Sequence, residues 1–555
     1  MRFIPKGPSA KQDSALKPIR PPSGHFFFAG RTFERESIFL HIPIDRDNDF
    51  NAAITGIKWW KDRNLRTLYI YIVVLILTNT ANGFDGSMMN GLQTLKYWKE
   101  YFDYPDGSIL GIYNSSMSLG SLIGLFFVPY VIDHWGRRWG IIIGCIIMLL
   151  AVGLQSGAQN FGMFVAARII LGFGDSIMLG AAPLLITEIS HPQDRAILVT
   201  LSGASYHTGS FIASWVTYGT LKIQSDWSWR LPSLLQSICS VLILVMMWWI
   251  PESPRWLINK DRSDEALKVL AHYHANDNDQ DEFVQLEFNE IRTAIELDKL
   301  ADKNGWLDLV KTKGNRKRMG IITAIALFSQ WSGNGLISYY LHQVMNNVGI
   351  TDPQTQLGIN GGMKTWSLIV NISMSFAVDR LGRRPIYLTS TIGTFIAFTI
   401  WTIISARFVI APVNGLGHAF VFMIFVYNTF YGFKSGLMPA YTAEILPYGI
   451  RAKGFTWMNF CVSAALFFNQ YVNAIALKAL AWKYYLFYVV FLAFECLVIY
   501  YFVIETRYTP LEEIAKFFDG KDAVDLAELA NSEMKDMRMK EGDVKETGVE
   551  NKELR

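Results

Sequence analysis

Long apolar stretches separated by short polar loops make up most of this chain. Runs such as GIIIGCIIMLLAVGLQSGA and YYLFYVVFLAFECLVIYYFVI come close to or exceed the roughly 20 residues with which a helix crosses a bilayer. The pattern predicts twelve such segments, at 68–92, 108–131, 139–157, 160–184, 197–220, 232–250, 319–345, 357–378, 385–405, 417–440, 452–475 and 484–504. The expected fold class is an all-α polytopic membrane protein, with the lipid bilayer as its solvent.

Polar segments divide and flank these spans. The central one, 258–316, has apolar residues at every third or fourth position, which predicts short amphipathic helices in water. It separates an expected N-terminal six-helix bundle, 66–257, from a C-terminal one, 317–505. The remaining residues, 1–65 and 506–555, are expected to be polar tails, and the first tail lacks the apolar core of a cleavable signal peptide.

Basic residues are concentrated in the short loops on one side of the predicted bundle. Loops on the other side, such as SGAQNF and GITDPQTQ, carry none. Because arginine and lysine are enriched in cytoplasmic loops, we expect this side, both tails and the central insert to be cytoplasmic. The basic residues concerned are Arg137, Arg138, Arg195, Arg380, Arg383, Arg384, Arg451 and Lys453.

Three motifs occur twice, in the same order and at nearly the same spacing. DHWGRR at 133–138 returns as DRLGRR at 379–384, TEISHPQDRA returns as AEILPYGIRA, and PESPR is echoed by IETR. Two homologous halves of six spans explain this repeat. Parallel repeats of this kind are a transporter architecture, with the binding site between the halves.

The repeated motifs place charged residues where spans meet the predicted cytoplasmic side. Glycine permits the tight turn of each D-x-x-G-R-R loop, and the aspartate can pair with the arginines across that turn. The Glu and Arg of the second motif could latch the two halves together there; the alternative is a set of topological anchors. The predicted gate comprises Asp133, Arg137, Arg138, Glu188, Arg195, Asp379, Arg383, Arg384, Glu444 and Arg451.

Composition narrows the possible functions. The chain is 51% hydrophobic and 18% charged, and its net charge of +3 indicates no nucleic-acid partner. All four cysteines lie in apolar spans, so neither a disulfide framework nor a metal site is expected. The sequence contains no nucleotide-binding loop or nucleophile constellation, which argues against an enzyme and against a cofactor.

Several charged residues fall inside the predicted spans. Leaving Asp85 ionised in lipid would cost roughly 2.5–3.5 kcal/mol, so it needs a partner or a function. Asp175 and Lys434 are two further buried charges, and we hypothesise that they pair across a central cavity. Lys364, near the predicted outer end of span eight, is expected to reach water, and His207 is expected to be a hydrogen-bonded core residue.

An ordered set of motifs resembles one family over most of residues 65–515. The motifs are GFDGSMMNGLQ, DHWGRR, ARIILGFGDS, PESPRWL, SQWSGNGLISYYL, DRLGRRP, AEILPYGIRAKG and FFNQYVNAIALKALAWKYY. They resemble the sugar porter branch of the major facilitator superfamily, and within it the fungal lactose permease and cellodextrin transporter group. The resemblance implies two six-helix bundles, alternating access and a carbohydrate substrate. Residues usual in the family are replaced by Gly203, Ser329, Ser367 and Pro439.

The resemblance also implies a role for Asp85. In proton-coupled members, the aspartate of the first helix pairs with an arginine of the fourth helix, which here is Arg168. Paired with the guanidinium, the carboxylate stays ionised; away from it, loss of hydration favours the protonated form. Proton binding and sugar binding would then be linked through one carboxyl group. The alternative is a structural ion pair.

Sugar recognition requires hydrogen-bonding amides and hydroxyls, together with an aromatic surface for the C–H face of the ring. Span seven is rich in such groups and contains no lysine or arginine, which suits a neutral polyol better than an anion. The alternative is that these groups only bond between helices. The candidate substrate-binding residues are Gln330, Trp331, Asn334, Ser338, Tyr339, Tyr340, Asn371 and Asn469.

The leading hypothesis is a proton-coupled symporter that imports a disaccharide such as lactose or cellobiose, or a hexose, across the plasma membrane. An uncoupled facilitator with the same fold is one alternative. A sugar receptor that does not transport is another, from a different functional class.

Overall fold

Helices form nearly all of the part of the chain that the structure describes. The computed structural model describes residues 59–301, 305–411, 414–434, 436–507, 514 and 517–519. The predicted tails, 1–65 and 506–555, therefore lie almost wholly outside the described residues.

The N-terminal half contains six helical segments, several of them longer than the predicted spans. The segments are α1 (Arg63–Leu92), α2 (Gly107–Gly124 and Val128–Trp135), α3 (Arg137–Ser156), α4 (Phe161–Ile189), α5 (Arg195–Thr220) and α6 (Trp227–Leu235 and Ser237–Met246). A short helix, Lys96–Tyr101, follows α1. The two parts of α2 meet at an angle of 49°.

The C-terminal half repeats this arrangement with more interruptions. Its segments are α7 (Lys313–Trp331, Asn334–Tyr339 and Leu341–Asn346), α8 (Pro353–Leu381), α9 (Arg383–Ile410), α10 (Asn414–Phe433 and Leu437–Ile445), α11 (Tyr448–Leu480) and α12 (Tyr484–Phe502). A single 3-10 turn, Ala481–Lys483, joins α11 to α12. Breaks of this kind are common where helices line a cavity.

Seven stretches of the described residues are long and apolar enough to cross a membrane, or eight if the bent pair of α2 is one span. One of these stretches, Lys453–Phe502, runs through both α11 and α12. The segments that do not qualify are α5, α7 and α8. These three are the more polar segments because they contribute many side chains to the central cavity.

Three apolar clusters show how the halves are joined. One cluster belongs to the N-terminal half and includes Leu68 and Ile141, and another belongs to the C-terminal half and includes Ile322 and Ile386. Both extend towards the end of the molecule that carries the duplicated arginine motifs, which we call the arginine end. The third cluster lies towards the opposite end and contains residues of both halves. The shared hydrophobic core is therefore at the opposite end.

The first three helices of the central insert pack on the N-terminal half, and the fourth packs on the C-terminal half through Leu309. The insert contains the helices Pro254–Asn259, Ser263–His274, Glu282–Ala301 and Asp308–Lys311. Buried Glu287 of the insert lies 3.3 Å from the guanidinium of Arg195 and 2.8 Å from Nδ1 of His274. Burial raises the pKa of Glu287, but His274 and Arg195 more than offset this, so its pKa lies below its usual value.

Glycines allow helices within the N-terminal half to touch backbone to backbone. A methyl group placed on Gly172 of α4 would lie 1.9 Å from the carbonyl oxygen of Met117 on α2, and Gly120 faces Ile169 in the same way. Gly209 of α5 has the same relation to Thr80 of α1. Small residues at such seams are the usual means of close helix packing in membranes.

We predict that Gly172→Ala destabilises the protein by about 1–3 kcal/mol, because α2 and α4 must separate to admit the methyl group. The melting temperature of the purified protein in detergent measures this. Gly153→Ala on α3 is the matched control, since nothing lies within 4 Å of its added Cβ. Alanine is the better helix former, so the control should melt no lower than wild type. Equal melting temperatures for both variants would contradict the close packing of α2 on α4.

Candidate functional site

A polar cavity of about 440 Å³ lies between the two halves. Its volume is typical of small-molecule sites, and its wall is richer in polar groups than such sites usually are. The N-terminal half contributes Asn82, Gly86, Met117, Ser118, Ser121, Arg168, Asp175, Gly203, Tyr206, His207 and Ser210. The C-terminal half contributes Gln330, Asn334, Ile337, Ser338, Tyr339, Lys364, Ser367, Asn371, Tyr427, Asn428, Tyr431, Gly432, Ser463, Leu466 and Gln470.

Five of the predicted substrate-binding residues line this cavity: Gln330, Asn334, Ser338 and Tyr339 of α7, and Asn371 of α8. Segment α7 is interrupted at Gly333, whose φ of +91° is a conformation that favours glycine. The interruption brings amides and a phenol from successive short helices to one wall.

Three predicted residues do not line the cavity. The Trp331 indole donates to the carbonyl of Ala465 at 3.0 Å and packs among phenylalanines. Tyr340 is fully buried, and its hydroxyl donates to a backbone carbonyl of α11. Asn469 donates to the backbone carbonyl of Gln330 at 2.6 Å. These side chains bond between helices, which is the alternative that the sequence left open.

Much of the cavity wall was not among the predicted site residues. The N-terminal wall carries Asn82, Ser118, Tyr206 and His207, and the C-terminal wall carries Tyr427, Asn428, Tyr431 and Gln470. Because His207 lines the cavity, the expectation that it is a core residue is wrong. The signal that could have identified these positions is a polar or phenolic side chain recurring on one face of an apolar span.

Asp85 and Arg168 are both buried, with exposed fractions of 0% and 2%. They do not form the predicted ion pair in this structure: neither carboxylate oxygen of Asp85 has a hydrogen-bond partner among the described residues. Instead, the Nη2 atom of Arg168 lies 3.8 Å from the sulfur atom of Met117. Asp175 and Arg168 are nonetheless close enough to act on Asp85 electrostatically, and the amide of Gln236 lies near its carboxyl without a hydrogen bond of acceptable geometry. The structure thus shows the separated arrangement of this pair.

The predicted pair between Asp175 and Lys434 is not formed. Asp175 accepts a hydrogen bond of 2.6 Å from Asn82 at the cavity wall. Lys434 lies at the interruption of α10, where its ammonium is 2.8 Å from Glu495 and 3.0 Å from the hydroxyl of Ser332. Glu495 belongs to α12 and is completely buried. The prediction failed because it paired two unexplained charges without considering this glutamate, which lies in a strongly apolar span.

Lys364 was predicted to reach water at the outer end of its span. Instead, it lines the central cavity. Helix α8 begins at Pro353, so Lys364 lies three turns inside it. Its depth was underestimated because the predicted start of the span was placed too late in the sequence.

At the arginine end, the duplicated motifs bond within each half. Arg137 forms a bidentate contact with Glu188, with distances of 3.0 and 3.2 Å. Arg383 contacts Glu444 at 2.9 Å. Asp133 is 3.8 Å from Arg137, whereas the side chain of Asp379 lies outside the described residues. The described Glu–Arg contacts therefore hold each half together, and no latch between the halves is seen among them.

The other gate residues bond to backbone groups or to the insert. Arg138 donates to the carbonyl of Trp248, Arg384 to that of Tyr500, and Arg451 to that of Leu446. Arg195 pairs with Glu287 of the insert. None of these described contacts crosses between the halves.

The third repeated motif has a role that the sequence did not reveal. Glu252 of PESPR accepts the backbone N–H groups of Arg137 and Arg138, both at 3.1 Å. Glu505 of IETR accepts those of Arg383 and Arg384 at 2.9 and 3.0 Å. In each half a carboxylate thus caps the N-terminus of the helix that follows the D-x-x-G turn, where the helix dipole favours negative charge.

At the opposite end, polar contacts cross between the halves. Asn90 of α1 donates to Asn360 of α8 at 3.1 Å, and Asn360 donates to Ser214 of α5 at 3.2 Å. Lys478 pairs with Asp106 at 3.0 Å. Together with the shared apolar cluster, these contacts close the cavity from this end.

Within the described residues, twelve helical segments in two repeated halves, around a polar cavity closed at one end, define a multi-pass membrane transporter. A family model described as sugar (and other) transporter matches residues 71–518. The chain belongs to this family, the sugar porters of the major facilitator superfamily.

Relatives from several organisms are similar over most of the chain. The chain is 27% identical to the high-affinity glucose transporter of Kluyveromyces lactis, over 83% of this chain and 86% of the relative. It is 26% identical to a probable quinate permease of Aspergillus flavus, over 81% and 88%. Among solved structures, the proton:xylose symporter XylE bound to 6-bromo-6-deoxy-D-glucose has a TM-score of 0.66, with 20% identity, over 82% of this chain and 100% of the other. This last similarity shows the fold.

We predict that Glu495→Gln destabilises the protein by about 3–5 kcal/mol, because it leaves the Lys434 ammonium buried without its counter-charge. The double variant Lys434→Met/Glu495→Leu removes both charges and should recover much of that loss. Melting temperatures of the purified proteins give the comparison. If the loss of stability in the double variant equalled the sum of the losses in Lys434→Met and Glu495→Leu, the pair would contribute nothing as a pair.

Proposed function

We propose that this sugar transporter is a proton-coupled symporter, with Asp85 as the group that carries the proton. The observation that supports this most directly is a fully buried carboxyl with no hydrogen-bond partner among the described residues, close to Arg168 and to the cavity. A carboxylate left unpaired in such surroundings is costly, whereas a protonated carboxyl is tolerated. A similar fold occurs in a protein named as a proton:xylose symporter.

We propose that the structure is an inward-facing state. The halves contact one another at the opposite end, and by the positive-inside rule the arginine end is cytoplasmic. Both termini would then be cytoplasmic, and the plasma membrane is the proposed location.

The proposed cycle has two arrangements of Asp85. When Asp85 is paired with Arg168, it is ionised; when a proton is bound, the two side chains separate and the substrate-loaded transporter can switch. Release of the proton to the cytoplasm would restore the pair. Each proton that enters with a neutral sugar supplies roughly 2.3 kcal/mol per 100 mV of membrane potential.

The substrate class proposed is a disaccharide such as lactose or cellobiose, or a hexose. Two positions of the wall support a roomy site: Gly203 has nothing within 4 Å of an added Cβ, and Ser367 is small and accepts a hydrogen bond of 2.5 Å from Asn428. The amides Gln330, Asn334 and Asn371 provide the hydrogen-bonding groups for sugar hydroxyls.

We predict that Asp85→Asn abolishes uphill accumulation of sugar and sugar-dependent alkalinisation of the medium, because the amide cannot exchange a proton at physiological pH. Exchange of labelled for unlabelled sugar should survive, since the binding groups remain. The measurement is uptake of radiolabelled lactose, cellobiose and glucose, with external pH recorded, in cells that lack their own sugar carriers.

The control for this experiment is Asp103→Asn, an exposed position outside the cavity that should behave as wild type. Downhill uptake with no proton signal in the wild type would mean an uncoupled facilitator in which Asp85 is structural. Binding without uptake would mean a receptor.

A further inference from the structure

Lys364 is an unexplained cation in the wall of the central cavity. Asn360, Lys364, Ser367 and Asn371 follow one another at spacings of three and four residues, which places them on one face of α8. Asn360 bonds across to the N-terminal half, and the other three line the cavity. Lys364 therefore lies one turn from the contact that closes the opposite end.

Lys434 and Arg318, two other cations buried in the described helices, have carboxylate partners, and buried Arg168 has Asp85 close enough to act on it electrostatically. Lys434 pairs with Glu495 at 2.8 Å, and Arg318 pairs with Asp519 at 2.6 Å. Within the described part of the chain, the Lys364 ammonium has neither a hydrogen bond nor an ion pair. A role in holding helices together would need such a partner.

The groups that face Lys364 belong to both halves. In the N-terminal half, His207 of α5 is close enough for Lys364 to act on it electrostatically. Beside Lys364, Thr365 accepts a hydrogen bond of 3.2 Å from the indole of Trp215, which ties α8 to α5. The one carboxyl of the described N-terminal wall, Asp175, accepts a hydrogen bond from Asn82 and forms no ion pair with Lys364. The cation is thus at the seam between the halves and is available to a ligand.

An unpaired ammonium inside a membrane protein marks a substrate or ion pathway, because leaving it bare is costly. A neutral sugar offers the ammonium only a hydroxyl oxygen, whereas a carboxylate also supplies the opposite charge that the ammonium lacks. We propose that this cavity takes a polyhydroxylated carboxylate, a sugar acid or cyclic polyol acid, whose carboxylate binds Lys364. Amides of α7 and α8 bind the hydroxyls of the same ligand. This inference rests on the proposed function, in which the cavity is the transport site, and adds a charged class of ligand to the neutral sugars proposed there.

The test measures binding of radiolabelled D-glucuronate to the purified full-length protein in detergent, with neutral D-glucuronamide as the matched competitor. The two compounds differ only in the charged group. The wild type should bind the acid at least about tenfold more tightly than the amide, the amount expected for one hydrogen bond to a charged group. Equal affinities, or binding of neither compound, would overturn the inference.

Substitutions assign this preference to Lys364. Lys364→Met should remove the preference for the acid while the amide still binds, and Lys364→Arg should keep it. Lys222→Met, at an exposed position beyond α5, should match wild type. A preference that survives in Lys364→Met would place the carboxylate elsewhere. If Lys364→Met fails to fold, the wild-type comparison and Lys364→Arg still decide the question.

Binding in detergent does not depend on transport or on protons, so the two proposals can fail separately. Acid-selective binding without proton-linked uptake would refute symport and keep the role of Lys364. Proton-linked uptake of neutral sugars with no preference for the acid would support symport and refute the proposed role of Lys364.

Discussion

The cost of a bare charge in a medium without water is the constraint on which this structure depends. Each buried charge must be neutralised, hydrogen-bonded or exposed to a polar cavity. The pairs Lys434–Glu495, Arg137–Glu188 and Arg383–Glu444 satisfy this rule within a single half. Asp85, Arg168 and Lys364 form no such ion pair among the described residues, and they lie at or beside the cavity between the halves. Paired charges thus stabilise each bundle, and unpaired ones remain for ligands.

Because these ion pairs form within a single half, each half is a separate structural unit. Glycines allow α1 to contact α5, and α2 to contact α4, backbone to backbone. A glutamate caps the N-terminus of α3, and another caps that of α9. The insert adds to the N-terminal unit through Glu287 and Arg195. Movement of one unit against the other therefore has to occur at the interface around the cavity, where polar contacts such as Asn90–Asn360 can be exchanged for others.

The sequence was sufficient for the architecture because apolar length and repeated motifs are one-dimensional signals. It also located Gln330, Asn334, Tyr339 and Asn371 on the cavity wall, since amides and phenols are conspicuous in apolar spans. It did not reveal which way each side chain points. That depends on the interruption at Gly333, which separates Asn334 from the buried indole of Trp331.

Partners were harder to predict than positions. Asp175 and Lys434 were matched because both lacked an explanation, but the closest groups, Asn82 and Glu495, become neighbours only when helices are rotated and packed. The depth of Lys364 was missed because polar residues at the start of α8 look like a loop. Both errors concern charged side chains, whose partners and depth depend on distances between helices. The sequence pattern alone does not give these distances.

The position of Lys364 also decides the electrical character of the transport cycle. A proton that enters with a neutral sugar carries one net charge across the membrane, so the voltage drives the uptake. A proton that enters with a carboxylate carries none, and the same protein would then be electrogenic for one ligand and electroneutral for the other. A single lysine in the cavity wall can thus determine whether a cell's membrane potential or only its pH gradient drives uptake.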